Sequence, residues 1–123
     1  MIHDEIRAFL THYFDVLQHQ DMVLFDKVFH PDCVLYSTQN AQTVVRSCQA
    51  YREMVQGRAS PTSLNAPRLD KINMIDLLSD EMALAKVELR LFDNIMVDYL
   101  SLHKVDGQWV IMAKHFSRLG AAT

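Results

Sequence analysis

The chain has 123 residues and a mass of 14.2 kDa, the size of one compact unit able to bury about two-thirds of its surface. Half of its residues are hydrophobic and 22% are charged, with three Gly and three Pro, which excludes collagenous and low-complexity chains. A formal net charge of -3, with Lys and Arg scattered singly, argues against a nucleic-acid binder, and no apolar run reaches bilayer-spanning length. Residues 4–19 read as an amphipathic helix, because Ile6, Phe9, Leu10, Tyr13, Phe14 and Leu17 recur at three- and four-residue spacing. Asp4 and Glu5 sit where the helix dipole favours negative charge. Asp21 is placed to cap a second helix carrying Met22, Phe25, Val28 and Phe29, with Pro31 as its stop. Cys33 to Thr38 reads as a strand, and residues 39–46 as a second short strand ending near Arg46. Ser47 is placed to cap a third helix running through Gln56, with Tyr51, Met54 and Val55 on one face. Residues 58–68 read as a loop. Four strands follow: Lys71–Ser79, Met82–Phe92, Ile95–Val105 and Gln108–Leu119. Short turns at Asp80, Asp93-Asn94 and Asp106-Gly107 separate them.

Helices first and an antiparallel meander last predict an α+β domain over 1–123, with the helices on one face of the sheet. In Met82–Phe92 the odd positions Ala83, Ala85, Val87, Leu89 and Leu91 are apolar and must face the core. A two-residue Asp93-Asn94 turn sets Leu89 opposite Asp98 and Val87 opposite Leu100. A two-residue Asp106-Gly107 turn sets Leu102 opposite Ile111, Leu100 opposite Ala113 and Asp98 opposite His115. A three-residue turn with a bulge at Gly107 would instead place Lys114 opposite Asp98.

The helix bearing Tyr13, the helix opened by Asp21 and the run Phe29-His30-Pro31-Asp32 resemble the nuclear-transport-factor-2-like superfamily. The runs Val97-Asp98-Tyr99-Leu100-Ser101-Leu102, Asp106-Gly107-Gln108-Trp109 and Lys114-His115-Phe116 resemble its SnoaL-like branch, often labelled putative lumazine-binding. This resemblance implies a cone-shaped α+β (cystatin-like) fold: a curved antiparallel sheet wrapped around the first helix, a pocket at the open end, and a homodimer through the outer sheet face. It includes isomerases, polyketide cyclases, dehydratases and epoxide hydrolases alongside members with no known activity, so the fold does not assign a reaction.

Asp98 and His115 are the candidate acid/base pair, since each is polar within an apolar face and the two can partner across the strands. A structural Asp–His bond is the alternative. Tyr13 is the third candidate: related isomerases use such a tyrosine to polarise a carbonyl, and the alternative is a core tyrosine with a backbone partner. Phe14, Phe29, Tyr36, Tyr51, Met54 and Trp109 are expected to line a ligand pocket, or else to serve only the core. No spacing marks a metal site, and no motif marks a cofactor. Cys33 and Cys48 read as reduced thiols rather than a disulfide framework. The amino-terminal residues lack a secretory pattern, so a cytoplasmic location is expected. The functional expectation is a small-molecule pocket protein, a catalyst of proton transfer on a compact carbonyl-bearing or aromatic substrate. The alternative is a non-catalytic ligand-binding or dimeric assembly module. The expected partners are that ligand and a second copy, with neither nucleic acid nor membrane.

Overall fold

The computed structural model describes residues 1–122. Helix α1 spans Ile2–His19, α2 Met22–Val28 and α3 Cys48–Gly57. The strands are β1 (Phe29–Gln39), β2 (Gln42–Ser47), β3 (Asp70–Leu77), β4 (Met82–Leu91), β5 (Asn94–Val105) and β6 (Gln108–Ala121). They form a curved, unclosed six-stranded sheet in the order β2-β1-β6-β5-β4-β3, so the α+β cone is the fold of this chain. Every pairing is antiparallel except β1 against β6, which is parallel. No helix among the described residues is long and apolar enough to cross a membrane.

Local chemistry sets the element ends. The Asp21 carboxylate accepts from the Leu24 amide at 3.1 Å, and the Ser47 hydroxyl accepts from the Ala50 amide at 3.1 Å, so each opens a helix as a side-chain cap. Proline does not stop α2: the helix ends at Val28, and Pro31 lies inside β1. There its missing N–H is tolerated, because the β1–β6 ladder breaks between Phe29 and Val34. The β1–β2 turn at Asn40-Ala41 has φ of 53° and 63°, and the β5–β6 turn at Asp106-Gly107 has φ of 52° and 78°. Two successive positive values are what a tight hairpin turn of matching twist requires. The β4–β5 turn falls at Phe92-Asp93, one residue earlier than the sequence suggests. Val87 therefore pairs with Asp98 and Leu89 with Met96, a shift of two positions that leaves every side chain on its expected face.

The core forms where the apolar stripe of α1 meets the inner sheet face. Ile6, Leu10, Tyr13 and Leu17 of α1 are buried with Leu35, Ala85, Val87, Leu100, Leu102 and Ile111 of the strands. Phe25 and Phe29 stack with ring centroids 4.4 Å apart, and Tyr51 of α3 meets Phe29 edge-on at 5.6 Å. These aromatics fill the space between α2, α3 and the sheet.

Candidate functional site

Strand β6 decides which polar groups enter the cone. The Asp106-Gly107 turn has two residues, and Val105 pairs with Gln108 as expected. The register slips further along: Leu102 pairs with Ile111 but Ser101 with Ala113, leaving Met112 as an extra residue. Beyond this bulge the facing alternation inverts. Lys114 pairs with Leu100 on the inner face, and Phe116 sits opposite Asp98. His115 pairs with Tyr99, is exposed, and stacks on Tyr36 of β1 at 4.9 Å on the outer face.

The expected Asp98–His115 pair is thus corrected to Asp98–Lys114. The physical reason is that the bulged frame turns the partly buried phenyl ring of Phe116 and the long stem of Lys114 onto the core, and sets an ammonium beside a buried carboxylate. The unbulged frame would turn Ala113, His115 and Ser117 inward instead. The signal was present in the sequence: Trp109 and Ile111 are odd-numbered and Phe116 is even-numbered, so the apolar positions change parity within the strand.

A compact network results. Asp98 is 1% exposed and Lys114 6%. The Tyr13 hydroxyl donates to Asp98 Oδ2 at 2.5 Å, and Lys114 Nζ lies 3.9 Å from the same oxygen. Lys114 Nζ also donates to the Tyr51 hydroxyl at 3.2 Å and lies over the rings of Tyr13 and Tyr51 at 5.2 and 5.0 Å. Asp98 Oδ1 is buried and has no hydrogen-bond partner among the described residues. Burial and the adjacent Asp98 carboxylate hold the Tyr13 hydroxyl well above the usual tyrosine range, so it stays protonated. Burial opposes the Lys114 ammonium, but Tyr51 and Asp98 outweigh it and keep its proton bound above the ordinary lysine value.

This network forms one wall of a cavity of about 120 Å³ between α1, α3 and the inner sheet face. Leu17, Leu35, Leu89, Met96 and Phe116 supply apolar lining, and Tyr51 and Met54 enter from α3. Arg46 and Arg58 also reach the cavity. Arg46 gets there because it pairs with Leu35, which pairs in turn with Lys114, so all three share the inner face. Arg58 follows the last residue of α3 in an extended conformation and lies over the Phe92 ring at 5.7 Å. Sequence reasoning missed Arg58 because it reads as the first residue of a polar loop.

The expected site residues therefore separate. Tyr13, Asp98, Tyr51 and Met54 come together here. Phe14 and Phe29 are buried in the core beside Tyr13. Tyr36 is half-buried on the outer face. Trp109 is remote from the cavity: its indole N–H donates to Glu5 at 3.3 Å, and it lines a separate groove with Phe9 and His12. No cluster of metal-ligating side chains occurs among the described residues.

Solved structures share this architecture. An NTF-2 like protein of unknown function from Silicibacter pomeroyi DSS-3 aligns with TM-score 0.82 at 16% identity, over 94% of this chain and 93% of that one. An NTF2-like protein from Shewanella baltica OS155 aligns with TM-score 0.81 at 17% identity, over 94% and 92%. A ketosteroid isomerase-like protein from Erwinia carotovora atroseptica SCRI1043 aligns with TM-score 0.73 at 13% identity, over 95% of each chain. At such identities the likeness is one of fold. No curated protein matches the sequence. The family described as Putative lumazine-binding matches residues 2–117, and with that match across nearly its whole length the chain belongs to this family.

Proposed function

We propose that the inner cavity binds a compact carbonyl-bearing molecule and that Asp98 moves a proton at the carbon next to its carbonyl. The observation that carries this reading is the divided use of one carboxylate. Oδ2 is held by Tyr13 and lies near Lys114, whereas Oδ1 is buried and unpartnered on a residue of the cavity wall. A desolvated oxygen with a free lone pair is suited to take a proton, and a neighbouring ammonium is suited to stabilise the enolate oxygen that forms. In this reading Asp98 is the general base, Lys114 the electrophile and Tyr13 a positioning residue. The part expected of His115 passes to Lys114, because His115 faces away from the cavity.

The test is deuterium exchange from heavy water into the α-carbon of compact cyclic and aryl ketones, followed by proton NMR. The protein is expected to accelerate exchange for at least one ketone, and Asp98→Asn to remove about 100-fold or more of that acceleration while remaining folded. Exchange that survives Asp98→Asn, or that the protein never accelerates, overturns the catalytic reading and leaves a binding-only cavity.

The proposal includes a homodimer formed through the outer sheet face. One row crosses all six strands there: Val45, Tyr36, His115, Tyr99, Lys86 and Met74 are successive ladder partners. Val45, Tyr99 and Met74 of that row are 67%, 42% and 36% exposed. A band of aromatic and aliphatic side chains carrying a few polar groups suits a face that packs on its own copy.

A further inference from the structure

We propose that the ligand of the inner cavity is a compact carboxylate, held by the Arg58 guanidinium. This rests on the reading of that cavity as a ligand site and names the class it takes.

The charge lining the cavity is unbalanced. Three cations, Arg46, Arg58 and Lys114, face a single anion, Asp98. The chain as a whole carries a formal charge of -3, so this positive interior runs against the molecule's own balance. Asp98 is already engaged by Tyr13 and Lys114, and its contacts do not extend to either arginine. Among the described residues no hydrogen-bond acceptor reaches Nε or Nη2 of Arg58, and both nitrogens are buried. Leaving a desolvated donor unpaired is unfavourable, and more so for a charged group. An incoming anion offsets that cost on arrival. A guanidinium presents its donors in a planar fork that matches a carboxylate, which favours a planar two-oxygen anion.

The rest of the lining describes the body of the ligand. Leu17, Leu35, Leu89, Leu91, Met96 and Phe116 make most of the lining apolar, so the body of the ligand is largely apolar. A volume of about 120 Å³ admits no more than about one six-membered ring, given that an engineered apolar cavity of roughly 150 Å³ binds benzene. The match is an aryl or cycloalkyl carboxylate, its ring among the leucines and its carboxylate toward Arg58.

Calorimetric titration of the full chain with benzoate and cyclohexanecarboxylate, each paired with its neutral amide at neutral pH and low salt, tests this. The better carboxylate is expected to bind at least about tenfold tighter than its amide. Arg58→Gln is expected to fold normally and to bring that ratio within about twofold. Amides that bind as tightly as the acids, a preference that persists in Arg58→Gln, or no binding by either carboxylate overturns the proposal. The exchange assay on neutral ketones reads Asp98 and not Arg58, so failure of the proton-transfer reading and failure of the anion preference are told apart.

Discussion

The buried ammonium of Lys114 shares its surroundings with one carboxylate and two phenol rings. Removing it leaves Asp98 as an uncompensated charge in a low-dielectric site, so Lys114→Met is expected to cost about 3–5 kcal/mol in urea unfolding. Neutralising the partner at the same time removes that penalty. The double variant Asp98→Asn/Lys114→Met is expected to be more stable than Lys114→Met alone, with a coupling of about 2 kcal/mol. Strictly additive effects would show that the pair is not coupled. The same two residues set the response to alkali. Tyr13 and Lys114 both hold their protons above the ordinary values in the folded state. Their contribution to stability is therefore complete below about pH 10 and declines as pH rises beyond it, because the unfolded chain releases these protons first. Spectrophotometric titration is expected to show equal tyrosinate absorbance in wild type and Tyr13→Phe until the alkaline unfolding transition. An earlier gain from Tyr13 would contradict its burial beside Asp98.

At the scale of elements, the tight turns are where single substitutions act on backbone alone. Ala41 holds φ of 63° in the β1–β2 turn, a left-handed conformation that costs a side-chain-bearing residue about 1–2 kcal/mol. Ala41→Gly relieves this, less the greater freedom that glycine gives the unfolded chain, for a net gain of about 0.5–1 kcal/mol. Gly107 is the converse case: a Cβ there meets nothing within 4 Å, yet φ is 78°. Gly107→Ala is expected to lose a similar amount through conformation alone. Thermal unfolding should separate the two variants by shifts of about 2–4 °C in opposite directions, and shifts of the same sign would refute the argument. Helices and hairpins were legible in the chain because their signals are local: Asp21 and Ser47 as caps, the stripe from Ile6 to Leu17, and Asp106-Gly107 as a turn. The placement of β1 alongside β6 was not legible, since nothing local specifies a parallel partner some eighty positions away. The site was half legible. Asp98 stands out as an acid on an apolar face, whereas the choice between Lys114 and His115 depends on a bulge that the correctly placed Asp106-Gly107 turn does not reveal.

For the whole molecule, the sheet keeps its two faces for different work. The inner face closes on α1 and carries the cavity, and the outer face presents Tyr36, His115 and Tyr99. If that face pairs with a second copy, light scattering at micromolar concentration gives about twice 14.2 kDa. Tyr99→Asp should then return the protein to monomer mass without lowering its helix content. A wild-type monomer at that concentration would remove the dimer from the proposal.

The extra residue at Met112 also bears on how this chain is to be compared with others. Strand β6 is written in two frames: odd numbers point inward at Trp109 and Ile111, even numbers at Lys114 and Phe116. Between these lies a punctuation mark whose position, rather than any neighbouring letter, chooses the group shown to the interior. Were the bulge to migrate past residue 115, the same string of amino acids would offer an imidazole inside and an ammonium outside. Two relatives with identical residues in this strand can therefore differ in the chemistry of their interiors. Counting from the hairpin turn will misassign them, and counting from the bulge will not.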